Sequence, residues 1–449
     1  MKFAVTDFDD FMSCLTEVQT VCEDTNNSDE LKNIIFQLAE DDMHIAGLSS
    51  QIQYKRKLTK GYSFEADPDQ NGYLYIQLRS KDLIAFLGTY KASRCTKVKS
   101  LVFEFNEKKQ IRLTVTESFR GTEQAQPTRG TSDSINMLTE LDMPEPTEET
   151  KPAPQDIVSR CIFDVVPMLT RNVKLLENKA SDLDYKELDP NILSLYTKTL
   201  TVASERTVYS YMNFTQGWVF VLSPSYVSFV RNLFVGDTNN IFSNIRLSSR
   251  VVNFFQKVLC TPAVTGTAEA DGVSMLNNID VARTEKNLVF KTDTVEASCI
   301  YDTNVVNTDL YFKMYVNDDG SYNNTNSIIL DRVFFKDVIK RLSLKHDLTT
   351  VTFDKEANII SLHTPSYSQN LVQDEYNGFD DGKVTFEIMP DIFNKAILGA
   401  DSGDESFEDG SQSTVRIAYS DGNGEKKRQG IIMSDTSDAW FSIIRVKTR

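Results

Sequence analysis

A short phrase that recurs along the chain constrains its fold more than any other feature. The phrase reads VLSPSYVSF at 221–229 and SLHTPSYSQ at 361–369, with a weaker version, AGLSSQIQY, at 46–54. Before each copy, one apolar run ends at a Phe, a polar turn follows, and a second apolar run leads into the phrase. Two apolar runs around a polar turn predict a β-hairpin. Widely spaced copies of one such unit indicate a duplicated architecture.

A helix-like pattern precedes each predicted hairpin. In the first pattern the apolar residues follow helical spacing and form a single stripe, which is typical of a helix packed on a core. The stripe consists of Phe8, Phe11, Met12, Leu15 and Val18. Thr6 stands where an N-cap residue is expected. The patterns before the second and third hairpins are DPNILSLYTKTLTVAS and LDRVFFKDVIKRLSL.

A second kind of unit, which reads strand, short helix and strand pair, follows each hairpin. Its helices begin directly after a strand, at LRSKD, LSSRV and IMPDI, where Ser or Asp supplies a cap. Six helix-plus-sheet units therefore lie along the chain in three pairs. We predict an α+β fold of three domains, 1–178, 179–318 and 319–449, each with two helices packed on antiparallel sheets. A chain of 449 residues has the length of about three domains.

One segment, from Glu117 to Asp156, departs from this pattern. It is rich in Pro, Glu, Thr and Gly and nearly devoid of aromatic residues. A segment of this composition buries too little apolar surface to offset the entropy of ordering, so we predict that it is disordered. The run IVSRCIFDVV that follows it resembles a closing strand of the first domain. We therefore place this segment as an acidic insertion inside that domain.

The composition is that of a globular protein without a membrane span. Apolar residues make up 40% of the chain, which is enough for buried cores. No run approaches the ~18 apolar residues of a membrane span, and the start MKFAVTDFDD lacks the order of a signal peptide. The six cysteines stand far apart, with no CxxC pair and no His at ligand spacing. We expect a cytoplasmic protein with reduced thiols.

The net charge of −16 argues at first against a nucleic-acid partner, because phosphate contacts need clustered Lys and Arg. The distribution of charge matters more than its sum, however. An acidic exterior is compatible with a basic inner face. The 48 Lys and Arg residues therefore have to be located before this partner is excluded.

The three pairs of units resemble the bacterial-type DNA polymerase sliding clamp, the beta subunit or processivity factor family, over almost the whole chain. The run ELKNIIFQL with MHIAGLSSQIQYKRKL looks like the first hairpin of that family, and RTVYSYMNF with WVFVL looks like its second domain. The C-terminal DAWFSIIRV looks like the closing strand, where the family carries a short apolar tail. The divergence, the acidic insertion and the length resemble a phage-encoded member more than a cellular one.

This resemblance implies a DNA clamp fold and a function. Family members form head-to-tail rings of two chains, in which twelve helices line a hole for double-stranded DNA. The ring holds a DNA polymerase on duplex DNA without sequence preference, without a cofactor and without catalysis of its own. Polymerase and clamp loader dock on it through short peptide motifs. The implied partners are therefore DNA, a polymerase, a loader and a second copy of the chain.

If the helices line a channel, their polar faces should carry positive charge. In the helix-like run DRVFFKDVIKRLSL, Phe334, Val338 and Leu342 are predicted to form the buried stripe, with Lys336 and Lys340 on the opposite face. The residues predicted to face DNA are Lys81, Lys91, Lys198, Arg250, Lys257, Lys336, Lys340 and Lys395. The first helix departs from this pattern.

That first helix presents Asp9, Asp10 and Glu17 and no basic residue. These acidic groups argue against a DNA contact by this helix. The neighbouring helices are then left to supply the positive field.

The resemblance also implies a pocket for partner peptides between the second and third domains. The pocket of the family maps onto Met212, Phe441 and Ile443, and further onto Ser223, Pro224 and Met314. The usual Thr-Asp-Gly-His-Arg phrase of the family is replaced here by SPSYV. We therefore expect an altered peptide preference.

Motifs that would indicate an enzyme or a metal site are incomplete. DPDQNGYLYIQL starts like a calcium loop but has Leu78 where a bidentate Glu is needed, and Asn71-Gly72 is more simply a hairpin turn. The three His residues stand alone, and no GxxxxGK[ST] is present. We expect neither catalysis nor a bound metal. Two alternatives stay open: a monomeric polymerase or transcription accessory protein of clamp fold, and a virion or scaffold protein of repeated sheets.

Overall fold

The computed structural model divides into two compact units, Met1–Asn178 and Lys179–Arg449, which we call unit 1 and unit 2. Most of the insertion and Met314 lie outside the described residues. The residues described are 1–22, 31–40, 42–65, 73–93, 96–106, 109–119, 156–177, 183–202, 209–270, 273–308, 327–344, 348–354, 359–372, 383–397, 414–420, 430–434, 440–445 and 447–448.

Unit 1 combines antiparallel strands with three helices in its described part. The strands are β1 (Lys2–Val5), β2 (Asn33–Ala39), β3 (Asp42–Leu48), β4 (Ile52–Leu58), β5 (Tyr62–Glu65), β6 (Leu74–Arg79), β7 (Thr96–Phe105), β8 (Gln110–Phe119) and β9 (Ile157–Asp164). The helices are α1 (Phe8–Cys22), α2 (Ser80–Lys91) and α3 (Thr170–Glu177).

Helices α1 and α2 pack against each other and against strands of two sheets in unit 1. One sheet has the order β5-β1-β7-β8-β9, and the other runs β4-β3-β2-β6. The side chains of Phe3, Phe11, Phe36 and Phe103 meet in the core between them, with Phe3 stacked on Phe103 at 4.2 Å. Because α1 uses its apolar stripe for this core, the helix is held by burial along its length.

A buried group of ionised side chains also holds α1 on β4. Arg56 of β4 donates hydrogen bonds to Glu17 and, at 3.2 Å, to Asp10. The hydroxyl of Tyr54 donates to Glu17 Oε2 at 2.6 Å. Burial, reinforced by the adjacent Glu17 carboxylate, raises the pKa of Tyr54 well above its ordinary value, so the phenol remains a donor. Buried charges of this kind are tolerated only when they are paired and hydrogen-bonded.

Unit 2 contains the remaining strands and two further helix pairs. The strands are β10 (Lys186–Leu188), β11 (Tyr211–Phe214), β12 (Trp218–Leu222), β13 (Tyr226–Arg231), β14 (Ile245–Ser248), β15 (Thr267–Ala270), β16 (Val273–Leu276), β17 (Ile279–Arg283), β18 (Asn287–Lys291), β19 (Val295–Ile300), β20 (Ser327–Asp331), β21 (Thr349–Asp354), β22 (Ile359–Thr364), β23 (Tyr367–Val372), β24 (Lys383–Ile388), β25 (Thr414–Ser420), β26 (Gly430–Ser434), β27 (Trp440–Arg445) and β28 (Lys447–Thr448). The helices are α4 (Pro190–Thr199), α5 (Gly236–Phe242), α6 (Ser249–Phe254), α7 (Pro262–Thr265), α8 (Arg332–Ser343) and α9 (Pro390–Ile397), and α6 continues as a π-helical turn, Phe255–Leu259.

The largest sheet of unit 2 has eight strands in the order β14-β11-β12-β13-β27-β26-β25-β20. A five-stranded sheet runs β23-β22-β21-β24-β28, and β10, β17, β18 and β19 pair in that order. Helix α4 packs on the π-helical turn, and α8 packs on α9, where the rings of Phe335 and Phe393 meet edge to face at 6.1 Å. The six helices predicted from the sequence are thus present as three pairs.

The recurring phrase of the sequence marks the same turn in each copy, directly after the second strand of the predicted hairpin. It spans the turns between β3 and β4, β12 and β13, and β22 and β23. In each turn a hydroxyl accepts a hydrogen bond from a backbone N–H two or three residues further on. These bonds are Ile52 N to Ser49 Oγ at 2.9 Å, Ser225 N to Ser223 Oγ at 3.5 Å, and Tyr367 N to Thr364 Oγ1 at 3.0 Å. The repeat is therefore the signature of a hydroxyl-stabilised turn.

The N-caps of the helices follow the predicted residue types in part. Thr6 is not the cap of α1, because its hydroxyl donates to the carbonyl of Gly61, and Asp7 accepts from Asp10 N at 3.1 Å instead. Helix α2 has no side-chain cap, since Arg79 precedes it. The caps of the other helices that carry one are Asp189 for α4, Ser248 for α6 and Asp331 for α8.

The predicted insertion is shorter at both ends than the composition indicated. Glu117 belongs to β8, where it is buried and accepts a hydrogen bond from the hydroxyl of Thr96. Asp156 lies 2.6 Å from the ammonium group of Lys99. Strand β9 pairs with β8, as expected for a closing strand. The prediction of disorder falls on residues 120–155, outside the described part of the chain.

The first prediction concerns the charged group under α1. Arg56→Met should lower the free energy of unfolding by about 3–5 kcal/mol, because it leaves the buried Glu17 carboxylate without its cation. Arg112→Met is the matched control, since Arg112 is exposed on β8, and it should change the value by no more than about 0.5 kcal/mol. Urea denaturation followed by tyrosine fluorescence measures both. Equal effects of the two variants would contradict a buried ion pair.

The second prediction concerns the buried face of α8, which differs from the expected one. Phe334 is 45% exposed and Phe335 is buried beside Val338 and Leu342, so the stripe is shifted by one residue. Phe335→Ala should cost about 3–5 kcal/mol of unfolding free energy. Phe334→Ala should cost less than about 1 kcal/mol. If denaturant titrations showed that Phe334→Ala costs more unfolding free energy than Phe335→Ala, the stripe predicted from the sequence would be correct.

Candidate functional site

The predicted cationic residues lie on the three helix pairs, and most of them reach solvent. Those that are exposed are Lys81 and Lys91 on α2, Lys198 on α4, Lys257 in the π-helical turn, Lys340 on α8 and Lys395 on α9. Arg250 and Lys336 are only half-buried, and both have further contacts. Burial lowers the pKa of Arg250 from its ordinary value. The exposed ammonium groups are thus spread over five helical segments.

The structure adds an exposed cation that was not predicted from the sequence. Arg341 is exposed beside Lys340 in the last turn of α8. It was overlooked because strict spacing of four residues from Lys336 selected Lys340 alone. Basic residues in the last turn also interact favourably with the helix dipole, so their position has a purely structural benefit as well.

The π-helical turn after α6 keeps its polar side chains exposed. Asn253, Gln256 and Lys257 are exposed, while Val258 and Leu259 are buried. Gln256 lies three residues after Asn253, so helical spacing places it on the same side as Asn253 and Lys257. Gln256 is therefore a polar neighbour of Lys257 on the exposed surface.

The acidic residues of α1 lie differently from the prediction. Glu17 is not presented to solvent, because it is buried against Arg56, and Asp10 is half-buried beside the same guanidinium. Only Asp9 of the three is exposed. The rest of the exposed side of α1 is uncharged, with Thr16 at its centre. The helix is therefore less acidic on its surface than its sequence indicated.

A second candidate surface is the outer face of the eight-stranded sheet, on the side opposite α9. Phe441 stacks on Phe229 at 4.5 Å and meets Trp218 edge to face at 5.1 Å. Ile443 is buried in the same apolar cluster. The half-buried side chains at its margin are Tyr209, Trp218, Val305 and Val306. This surface therefore has half-buried apolar side chains at its margin, packed on a fully buried apolar cluster.

The structure does not place all predicted pocket residues on this face. Met212 pairs through Val221 and Ser228 with Ser442, whose hydroxyl donates to the carbonyl of Ala396 in α9 at 2.7 Å. Because residues directly opposite in a sheet share a face, Met212 points to the helix side.

The other predicted pocket residues lie at or beyond the turn that follows β12. Ser223 is half-buried and stabilises the turn, and Pro224 is exposed at its tip. Met314 lies outside the described residues.

The segment 301–308, which we call the strap, follows β19 and crosses the outer face. Its Val305 and Val306 pack on the apolar cluster, and the N–H of Val306 donates to Asn213 Oδ1 at 3.5 Å. No role for the strap was predicted from the sequence. The available signal was a pair of β-branched residues that begins five residues after the end of β19.

Two backbone and two side-chain hydrogen bonds hold the start of the strap on β14. Arg246 and Asp302 exchange N–H···O bonds of 2.7 and 3.1 Å, and the guanidinium donates to Asp302 Oδ2 at 2.6 and 3.1 Å. Burial raises the pKa of Asp302, but hydrogen bonds from Asn304 N and from Arg246 outweigh it and lower the pKa below its ordinary value. The carboxylate therefore stabilises the fold above the ordinary Asp pKa, and this contribution is lost only as the pH falls through the lowered value.

Two negative observations apply to the described residues alone. Within them, no group of three His, Cys, Asp or Glu side chains is arranged to hold a metal ion. The helices described are all too short or too polar to cross a membrane.

Comparisons with known proteins identify the fold. No protein-family model matches the sequence, and no curated protein matches it. Solved structures, in contrast, match it from end to end. The beta subunit from DNA polymerase of Streptococcus pyogenes is similar at 12% identity and a TM-score of 0.62, with 100% of both chains covered.

Two further structures agree with this match. The DNA polymerase sliding clamp from Bacillus subtilis has 12% identity and a TM-score of 0.64, covering 100% of this chain and 99% of its own. The Helicobacter pylori beta clamp bound to a DNA ligase peptide has 11% identity and a TM-score of 0.61, with both chains fully covered. The chain therefore has the fold of the bacterial DNA polymerase sliding clamp.

Proposed function

We propose that this protein is a DNA sliding clamp, a ring of two chains that encloses duplex DNA and keeps a polymerase on it. The observation that carries the proposal is the end-to-end likeness to bacterial clamps, which covers every helix-plus-sheet unit at once. A likeness limited to one domain would support only a shared module. The proposal assigns no catalysis and no cofactor to the chain.

The exposed cations of the helix pairs support a DNA-facing role. Lys198, Lys257, Lys340 and Lys395 all have solvated ammonium groups, and each belongs to a helical segment of unit 2. Scattered, solvated lysines attract phosphates without fixing a register. A ring that slides requires this kind of weak contact, because strong contacts would arrest it.

We further propose that partner proteins dock short apolar peptides on the outer face of the eight-stranded sheet. The supporting observations are the half-buried Trp218, Val305 and Val306 above the Phe441 cluster. The Helicobacter pylori clamp of similar fold was solved with a DNA ligase peptide. For this chain the expected partners are a polymerase and a clamp loader in the bacterial cytoplasm, in keeping with the proposed phage origin.

In a head-to-tail ring, each chain uses two different surfaces, and one surface of a chain contacts the other surface of its neighbour. Exposed apolar side chains are found at two suitable places. On β9, an outermost strand of its described sheet, Val158 is 53% and Ile162 is 57% exposed. At the end of α8, Leu344 is 76% exposed, and Leu348 follows it. We propose that the β9 surface of one chain contacts the α8 surface of the other in the dimer. The ring then has six domains, since each chain supplies the three domains 1–178, 179–318 and 319–449.

The third prediction tests enclosure of DNA. The wild-type protein, loaded on a nicked circle, should stay bound in high salt and dissociate once the circle is linearised, because only the ring topology retains it. Gel filtration of the two DNA forms measures retention. Equal retention on both forms would contradict a ring and favour a monomeric accessory protein.

A charge-reversal set separates the helix faces from general electrostatics. Replacing Lys198, Lys257, Lys340 and Lys395 with Glu should weaken the initial binding of DNA. It should also lower the slope of log K for DNA binding against log salt concentration by roughly one per lysine. The control reverses four exposed cations outside the helix pairs. These are Arg112, Lys174, Arg231 and Lys286. Equal loss of binding in both sets would contradict the proposed DNA-facing role of the helices.

The fourth prediction tests the dimer. Light scattering should give twice the chain mass of 50.9 kDa at micromolar concentration. Val158→Glu should give the monomer mass, because it places a carboxylate in a desolvated contact. Val235→Glu is the matched control, since Val235 is 80% exposed and lies on neither proposed surface, and it should leave the dimer intact. A dimer that survives Val158→Glu would exclude β9 from the contact.

A further inference from the structure

The strap is held at one end by a side-chain arrangement that leaves little freedom. Both carboxylate oxygens of Asp302 are engaged, Oδ2 by Arg246 and Oδ1 by Asn304 N at 2.8 Å. The guanidinium of Arg246 also lies over the ring of Tyr211, 4.3 Å from its centre. A guanidinium that is stacked and hydrogen-bonded at once is fixed in orientation.

Tyr301, the first residue of the strap, is held independently of that pair. Its hydroxyl donates toward the carbonyls of Thr284 and Glu285 at 2.8 and 3.0 Å and accepts from Arg283 Nε at 3.1 Å. The contacts of two successive residues, Tyr301 and Asp302, therefore fix the start of the strap. Beyond Asp302, the N–H of Val305 donates to the carbonyl of Thr303 at 2.9 Å within the strap, the N–H of Val306 donates to Asn213 Oδ1 at 3.5 Å, and Val305 and Val306 pack on the apolar cluster.

These contacts have a mechanical consequence for the apolar surface that Val305 and Val306 share with Trp218. Val305 lies three residues after Asp302, so the direction in which the strap leaves β14 decides where its two valines stand. A groove whose wall is held in place before binding avoids the entropy cost of ordering the wall during binding.

We propose that Arg246 and Asp302 are positioning residues for partner binding, which hold Val305 and Val306 as the preformed wall of a groove for an apolar peptide segment. This inference rests on the proposed docking function. It adds to it that the pair acts through the strap and without touching the peptide. Removing the pair should weaken peptide affinity while the core of unit 2 stays folded.

The probe is a fluorescein-labelled peptide selected from a random library on the wild-type protein, with counter-selection against Val305→Asp. This selection retains only peptides that need the wall. Asp302→Asn and Arg246→Met should each bind the probe about fivefold to tenfold more weakly, mainly through faster dissociation. Arg246→Lys should recover part of the affinity because it keeps the charge. Asp237→Asn, which removes a surface ion pair elsewhere in unit 2, should bind like wild type.

Hydrogen exchange of the amides in 301–308 separates a local loosening of the strap from a general loss of stability in unit 2. In Asp302→Asn these amides should exchange at least about tenfold faster, while those of β13 and β27 stay protected and the melting temperature changes by only a few degrees.

The outcomes separate the two proposals. Failure of the wild-type protein to bind any library peptide before the counter-selection step would overturn the docking function itself. Wild-type affinity in Asp302→Asn, or unchanged exchange of the strap, would overturn the positioning role and leave docking intact.

Discussion

Pairing of β27 with β13 is the interaction on which the arrangement of unit 2 depends. It joins the end of the chain to a hairpin more than 200 residues earlier, where Ser228 and Ser442 share a hydrogen bond of 2.5 Å across a separation of 214 residues. Without this pairing the eight-stranded sheet would separate into two smaller sheets with open edges. Such edges are prone to association with other chains. The pairing therefore creates both a continuous sheet and a continuous apolar floor beneath the strap.

The register of that pairing places neighbouring residues of β27 on opposite faces of the sheet. Phe441 points to the outer face, where it stacks on Phe229, and Ser442 points to the helix side, where it bonds to α9. A slip of one residue would exchange these faces and place a hydroxyl in the apolar cluster. The family resemblance implied Phe441 and Ile443 together, and their alternation within one strand keeps both on the same face. The resemblance misplaced Met212, since the face of β11 depends on pairing with distant strands.

The difference between local and long-range information also explains which other predictions were correct and which were wrong. The helix pairs and the three hairpins were predictable from apolar spacing and from the hydroxyl-bearing turns, both of which are local. Arg56 could not be recognised as the partner of Glu17, because 39 residues separate them and no sequence spacing links a helix to a strand beneath it. The α1 surface therefore looked acidic when its charge is largely internal. The shift from Phe334 to Phe335 has a smaller cause, since both residues fit an apolar stripe and only the packing against Phe393 selects one.

These internal pairings change how the net charge of −16 should be weighed. Glu17 and Asp10 count in the sum but face Arg56 within the fold, so they contribute little field at the surface of α1. In the ring that we propose, the net negative charge of the exterior repels DNA, while the lysines of the helix faces attract it. A field of this shape directs DNA toward the hole without binding it tightly. Enclosure then supplies the long residence time, and weak contacts supply the freedom to slide. An excess of acidic residues is consequently compatible with a DNA-enclosing protein, provided that the cations are placed on the helices.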